Sequence, residues 1–312
     1  MAGILADWTE EERAAFGSRP LRLGHSLSGS PLFGDDALEQ LIDATPRDRV
    51  QVGTMHRTAR DPGSWREGDL GSLGGWAVLD AVRRGFIWVH LRRVHETDAR
   101  YRALMQGIFA EWERRLPGLR TYRHSMSVLV SSPGMNVAYH VDVPGQSLWQ
   151  VRGEKRVWIY PPRPPFLPQA ALEDIILKRA ADTALAYEDG FDDHAACLDL
   201  APGTMATWPL NAPHRVVNGD GLSVSFTLEH WTDALRAAYA VNYANGLIRR
   251  ATGRDAVLSQ ASRGPGAWAK LVLAGLHKLL APPPPHPARS SFRVDPAAAE
   301  GIRDTAPGAR AV

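Results

Sequence analysis

The sequence predicts a mainly β protein with helical additions, built around a barrel or jelly roll. Three observations carry this expectation. Between residues 123 and 231, short strand-like segments follow one another and are split by turn residues. That run of strands favours a barrel or jelly roll over a parallel sheet. Helical spacing is confined to the flanks and to one insertion.

The elements read in chain order as follows. Residues 1–34 are irregular, with a short helical start. "DDALEQLIDA" (35–44) predicts a helix whose acidic first turn suits the helix dipole. "RVQVG" (49–53) is a short strand, and the polar, Gly-rich residues 57–75 a loop. In "GFIWVHLRR" (85–93), Ile87, Val89 and Leu91 alternate with Trp88, His90 and Arg92, the period of a half-buried strand. Residues 96–116 place Leu104, Ile108 and Trp112 on one helical stripe. Six strands follow: "RHSMSVLVSS", "NVAYHVDV", "SLWQVRG", "KRVWIYPP", "GTMATWP" and "GLSVSFTLEHW". The "RG" between the third and fourth reads as a tight hairpin. Residues 163–194 form an insertion, Pro-rich first and then helical. Its "DDH" (192–194) reads as a solvated loop. Two helices come after 231, and "PPPPHP" ends the second. The expected organisation is a barrel unit over 1–231, a helical appendage over 232–281 and a flexible tail over 282–312.

Composition narrows the function classes. The chain has 312 residues and a formal net charge of +2, too small an excess to argue nucleic-acid binding. Cys197 is the sole cysteine, which excludes an intrachain disulfide and suits a reducing compartment. The N-terminus lacks the basic region of a signal peptide, and no stretch is apolar for long enough to span a bilayer. These features read as a soluble cytoplasmic protein. "WAKLVLAGLHKLL" could lie on a membrane surface, but a packing or dimer helix is the commoner role of such a segment.

The chemistry concentrates in "NVAYHVDVPGQSLWQVRGEKRVWIYPP" (136–162). His140 and Asp142 are two apart, so on a strand both face the same way and can meet one ion. Taken alone, such a pair is more often a hydrogen-bonded surface pair. His214, just before the last strand, is the candidate third ligand. Two imidazoles and a carboxylate on one side of a ferrous ion leave its opposite face open. Lys155 lies fifteen residues after His140, among Val157, Trp158 and Ile159. A lysine facing into a barrel needs an anionic partner, because an unpaired buried charge is costly.

With "PGTMATWPLNAPHRVVN" (202–218) added, these blocks resemble the Jumonji-C/cupin-like Fe(II)- and 2-oxoglutarate-dependent dioxygenases. They are most similar to the small hydroxylase branch that includes the asparaginyl hydroxylase of the hypoxia pathway. The resemblance spans about residues 85–231 and implies a double-stranded β-helix (jelly-roll) core. It also implies Fe(II) on His140, Asp142 and His214, with 2-oxoglutarate and O2 as cosubstrates. Lys155 would hold the distal carboxylate of 2-oxoglutarate. Gln146 would lie near the cosubstrate, with Thr227 and Ser225 as further candidates, and Trp88 and His90 would line the opening. The branch often has a hydroxyl residue three before the first metal histidine; this chain has Val137, so Ser127, Tyr122 or Tyr139 would have to substitute. The implied reaction is hydroxylation of a protein side chain or a small metabolite. A non-redox cupin-type metal protein or isomerase is the alternative, and it has no need of Lys155. The C-terminal helices, with Tyr239, Leu247 and Ile248 in the first and Trp268, Leu271, Val272 and Leu276 in the second, are expected to form a homodimer.

Overall fold

The computed structural model describes residues 3–57, 64–253, 258–281 and 290–305. Its strands are β1 (Leu21–Gly24), β2 (Val50–Thr54), β3 (Arg66–Asp69), β4 (Trp88–Leu91), β5 (Tyr122–Ser131), β6 (Asn136–His140), β7 (Gly145–Arg152) and β8 (Lys155–Ile159). There follow β9 (Ala196–Leu200), β10 (Thr204–Thr207), β11 (His214–Asn218), β12 (Ser223–Trp231), β13 (Phe292–Val294) and β14 (Ile302–Asp304). They form a ten-stranded sheet in the order β1-β10-β7-β12-β5-β4-β2-β3-β13-β14 and a four-stranded sheet β6-β11-β8-β9. The central strands of the two sheets face each other as the expected jelly roll.

Strand alternation divides the side chains between two environments. On β12, Val224, Phe226 and Leu228 point away from the barrel. They pack with Met126, Val128 and Val130 of β5 under the helices α1 (Glu10–Ala15), α2 (Asp35–Ala44), α3 (Gly75–Arg84), α4 (Val94–Thr97) and α5 (Ala99–Arg115). Ile108, Phe109 and Trp112 of α5 are fully buried there, and Leu104 is partly buried against the same core. The barrel interior is apolar on the small sheet, where Val157, Ile159 and Val216 meet Leu148 and Ala206. A third core covers the outer face of the small sheet. There Tyr139 and Tyr160 pack against Phe166, Leu172 and Ile176 of the insertion, whose helix α6 spans Gln169–Ile176, and against Tyr243 of α7 (Asp233–Thr252). Thr232 caps α7 by accepting from Leu235 N, and Gly253 ends it in the left-handed region. The helix α8 (Pro265–Leu280) packs on α7.

Several expectations are corrected. The "RG" is not a hairpin: β7 lies in the large sheet and β8 in the small one, so the chain crosses between sheets there. Gly153 makes the crossing at φ 67, where a Cβ would come within 2.4 Å of Leu222 O. Irregular residues 1–34 contain β1, which pairs with β10, and the loop over 57–75 contains β3. The strands β9 and β11 were not foreseen as strands. Asp192 is no solvated loop residue, because it is bonded to Arg215, Tyr160 and Tyr187. Residues 290–305, expected in a loose tail, form β13 and β14, and β13 pairs in parallel with β3. The remainder of that tail lies outside the described residues. No described helix is long and apolar enough to cross a membrane.

Candidate metal centre

The strands β6 and β11 are neighbours, and their register sets His140 opposite His214. His140 ends one strand and His214 begins the other, so both imidazoles stand at the same end of the small sheet. Their ring centroids are 4.1 Å apart. Asp142 follows just beyond β6, with Oδ2 3.3 Å from His214 Nε2. One donor atom from each residue lies within 4.8 Å of the others, and no other such group of His, Cys, Asp and Glu occurs among the described residues.

Each histidine is oriented by its own main chain. His140 Nδ1 lies 2.7 Å from Ala138 O and His214 Nδ1 3.1 Å from Ala212 O. A carbonyl only accepts, so Nδ1 carries the proton and Nε2 keeps its lone pair for a metal. Gln146 Nε2 donates to Asp142 Oδ2 at 2.7 Å. Asn211, at a positive φ of 57, donates through Nδ2 to Asp142 O at 2.7 Å. Trp208 packs on His214 with ring centroids 4.5 Å apart.

The electrostatics suit a bound cation. Burial holds His214 well below its ordinary value and so keeps it neutral. Burial pushes Asp142 up to about 7; His140 opposes the rise, and Glu229 and Asp182 add to it. A neutral His214 and a carboxylate that ionises reluctantly are a poor arrangement until a divalent ion supplies positive charge. Two nitrogen donors and one oxygen donor on one side suit Fe(II) or a similar divalent ion and leave ligand positions open.

Lys155 begins β8 and pairs in register with Asn218, while His214 pairs with Ile159 four residues along. At roughly 3.3 Å per residue, the lysine backbone is about 13 Å from the level of the histidines. Its side chain, 6% exposed, crosses the interior to the large sheet, where Nζ donates to Ser225 Oγ at 2.9 Å. Burial alone pushes the ammonium down to about 7, with no described carboxylate offsetting the shift. Thr227 and Ser127 are directly opposed on β12 and β5, both buried, and Thr227 is one inward position along from Ser225.

The other anticipated residues divide clearly. Gln146 meets the metal carboxylate itself. Trp88 packs with Met55, Phe86, Met135 and Ala138. His90 lies beside it with both ring nitrogens buried and without hydrogen-bond partners among the described residues, and burial drives it down to about 3. Tyr139 donates to Phe166 O on the outer side of the small sheet, and Tyr122 to Asp233 near the surface. Neither phenol is brought to Lys155. Sequence reasoning gave no role to Asn211, Trp208 or Glu229. Trp208 and Asn211 lie within the quoted 202–218 block, so their closeness to His214 was the available signal.

Fold and site together define a jelly-roll barrel with a His-Asp-His centre at one end. Among solved structures, Escherichia coli YcfD is similar, with 16% identity over 89% of this chain and 70% of that one, at a TM-score of 0.51. A second structure of YcfD, described as a ribosomal oxygenase in complex with cobalt and 2-oxoglutarate, matches at 15% identity over 90% of this chain and 68% of that one, with a TM-score of 0.49. A third, with cobalt and succinic acid, matches at 16% identity over 90% and 68%, with a TM-score of 0.48. No protein-family model and no curated protein sequence matches the chain.

Proposed function

We propose that this protein is an Fe(II)- and 2-oxoglutarate-dependent oxygenase, a hydroxylase of a protein side chain or a small metabolite. The observation that carries the reading is the pairing of two features in one barrel. A facial His140, Asp142 and His214 set stands at one end, and a buried lysine, bonded among the described residues to a serine hydroxyl, reaches in from the other. A metal protein without a cosubstrate has no use for the second.

Fe(II) at this site would supply O2 activation coupled to oxidative decarboxylation, so that 2-oxoglutarate, O2 and R–H give succinate, CO2 and R–OH. The chain's part is to bind, orient and shield. His140 and His214 offer Nε2, with Nδ1 committed to the main chain. Gln146 holds the Asp142 carboxylate in place. Lys155 and Ser225 would take the distal carboxylate of 2-oxoglutarate, with Thr227 and Ser127 beside them, which answers the missing hydroxyl at Val137. The apolar wall of Leu148, Val157 and Val216 keeps water from the space between. Trp88 and His90 would border the cosubstrate and substrate space.

We assign this chemistry to residues 1–231, in the cytoplasm, and self-association to the helices of 232–281. Tyr239 and Leu247 are used internally, against the insertion core. The outer face of α8 is not: Trp268, Val272, Leu273, Leu276, Leu279 and Leu280 are all exposed, Leu279 at 82%. A second copy of α8 is the proposed partner for that face.

The test is anaerobic addition of Fe(II) and 2-oxoglutarate. A visible charge-transfer band, followed by O2-dependent succinate release, is expected. Metal binding with neither band nor succinate would favour the non-redox cupin alternative.

A further inference from the structure

We infer that the insertion is a positioning device for the metal-bearing strand, acting through Asp192. This rests on reading His140, Asp142 and His214 as metal ligands. Arg215 follows His214 directly on β11, so its side chain leaves by the opposite, outer face of the small sheet. The guanidinium is 5% exposed and lies 3.6 Å above the Trp158 ring. Asp192, in the short turn Asp189–His194 that closes the insertion, forms an ion pair with it. The same carboxylate accepts from Tyr160 OH at 2.5 Å and from Tyr187 OH at 2.9 Å, while Arg215 Nε donates to Tyr160 OH at 2.9 Å. Tyr160 in turn donates its main-chain N–H to Pro213 O at 2.8 Å, on the other side of His214. His214 is therefore fixed from both of its neighbours, and both fixings run to Tyr160, with the Arg215 side tied to Asp192.

The consequence follows from charge burial. A buried cation that loses its partner is far less favourable than one never buried. Without Asp192, the Arg215 guanidinium gains most by moving toward water. Because it is anchored to β11, that motion displaces His214 from Asp142 and His140. The insertion would then set metal affinity through Arg215, apart from its other approach to the ligand segment, where Asp182 O accepts from Val141 N at 3.3 Å.

The probe is Co(II), titrated into the full chain and followed by its visible spectrum, with the melting temperature recorded in parallel. Asp192→Ala is expected to weaken Co(II) binding about 10- to 100-fold, the range for lost support of a ligand. Asp192→Asn, which keeps a carbonyl acceptor, serves if the alanine variant does not fold, and should fall between that variant and wild type. The double variant Asp192→Leu/Arg215→Met removes the charge together with its partner and should restore Co(II) affinity to within a few-fold of wild type. An Asp192 variant that is less heat-stable yet binds Co(II) within twofold of wild type overturns the inference, leaving Asp192 a stability residue. So does a double variant as weak as Asp192→Ala. Wild-type protein that fails to bind Co(II) overturns the metal reading itself.

Discussion

Replacing Lys155 with methionine removes the ammonium and keeps most of the side chain's volume, so the apolar wall should survive. The loss can be sized from the structure. The lysine is 6% exposed and donates to the Ser225 hydroxyl. A carboxylate of 2-oxoglutarate arriving there would form a desolvated, hydrogen-bonded charge pair. Truncating one member of such a pair costs about 2–5 kcal/mol, or roughly 30- to 5,000-fold in affinity. The assay is calorimetric titration of 2-oxoglutarate into Co(II)-loaded protein, with Co(II) affinity measured separately and expected unchanged. Protonation gives a second signature. Burial alone lowers Lys155 to about 7, and a bound carboxylate would raise it again. Binding therefore takes up a proton. Affinity is full below pH 7 and falls as pH rises through that value, by about 30-fold between pH 6 and 8.5 if one proton is linked. Lys155→Met should abolish this slope. Affinity within twofold of wild type, about 0.4 kcal/mol, or an unaltered slope in the variant, would refute the anchor.

Other outcomes follow from the same geometry. Asp142→Ala and His214→Ala should each lose stoichiometric Fe(II) and all succinate formation while staying folded by circular dichroism; wild-type turnover in either would remove it from the ligand set. Ser225→Ala deletes one hydrogen bond of the lysine and should raise the Kd for 2-oxoglutarate roughly fivefold, the equivalent of about 1 kcal/mol. An unchanged Kd would place the cosubstrate elsewhere. Gln146→Leu frees the Asp142 carboxylate and should weaken Co(II) about tenfold. Leu276→Asp, at the middle of the bare α8 face, should convert a dimer to a monomer by light scattering, and an unaltered mass would show that this face is not the contact.

The site was legible where side-chain chemistry is unusual for its surroundings. A histidine and an aspartate two apart, and a lysine among Val157 and Ile159, conflict with an ordinary barrel strand, and that conflict is readable without coordinates. The helix over 35–44 was legible because its apolar period and acidic start agree. What failed was long-range. A glycine turn at Gly153 has the same local chemistry whether the chain returns along its own sheet or crosses to the other, so "RG" passed for a hairpin. "HRVVN" opens with two polar residues because His214 faces the metal site and Arg215 the insertion, which hid a strand. Ser225, Thr227 and Ser127 are equally small and polar, and only the inter-sheet distance distinguishes the one that meets Lys155.

The parallel pairing of β13 with β3 sets Phe292 beside Gly68, extending the sheet with residues more than two hundred positions away. Gly68 is required there, since a Cβ would sit 2.3 Å from the Phe292 ring. During synthesis the barrel strands, complete by Trp231, emerge well before residues 290–305. Until then β3 presents a bare edge of unpaired amides and carbonyls, the kind of edge that recruits strands from other chains. The later-made residues 290–305 thus cover the β3 edge and leave in its place only the three-residue β14, a much shorter template for foreign strands.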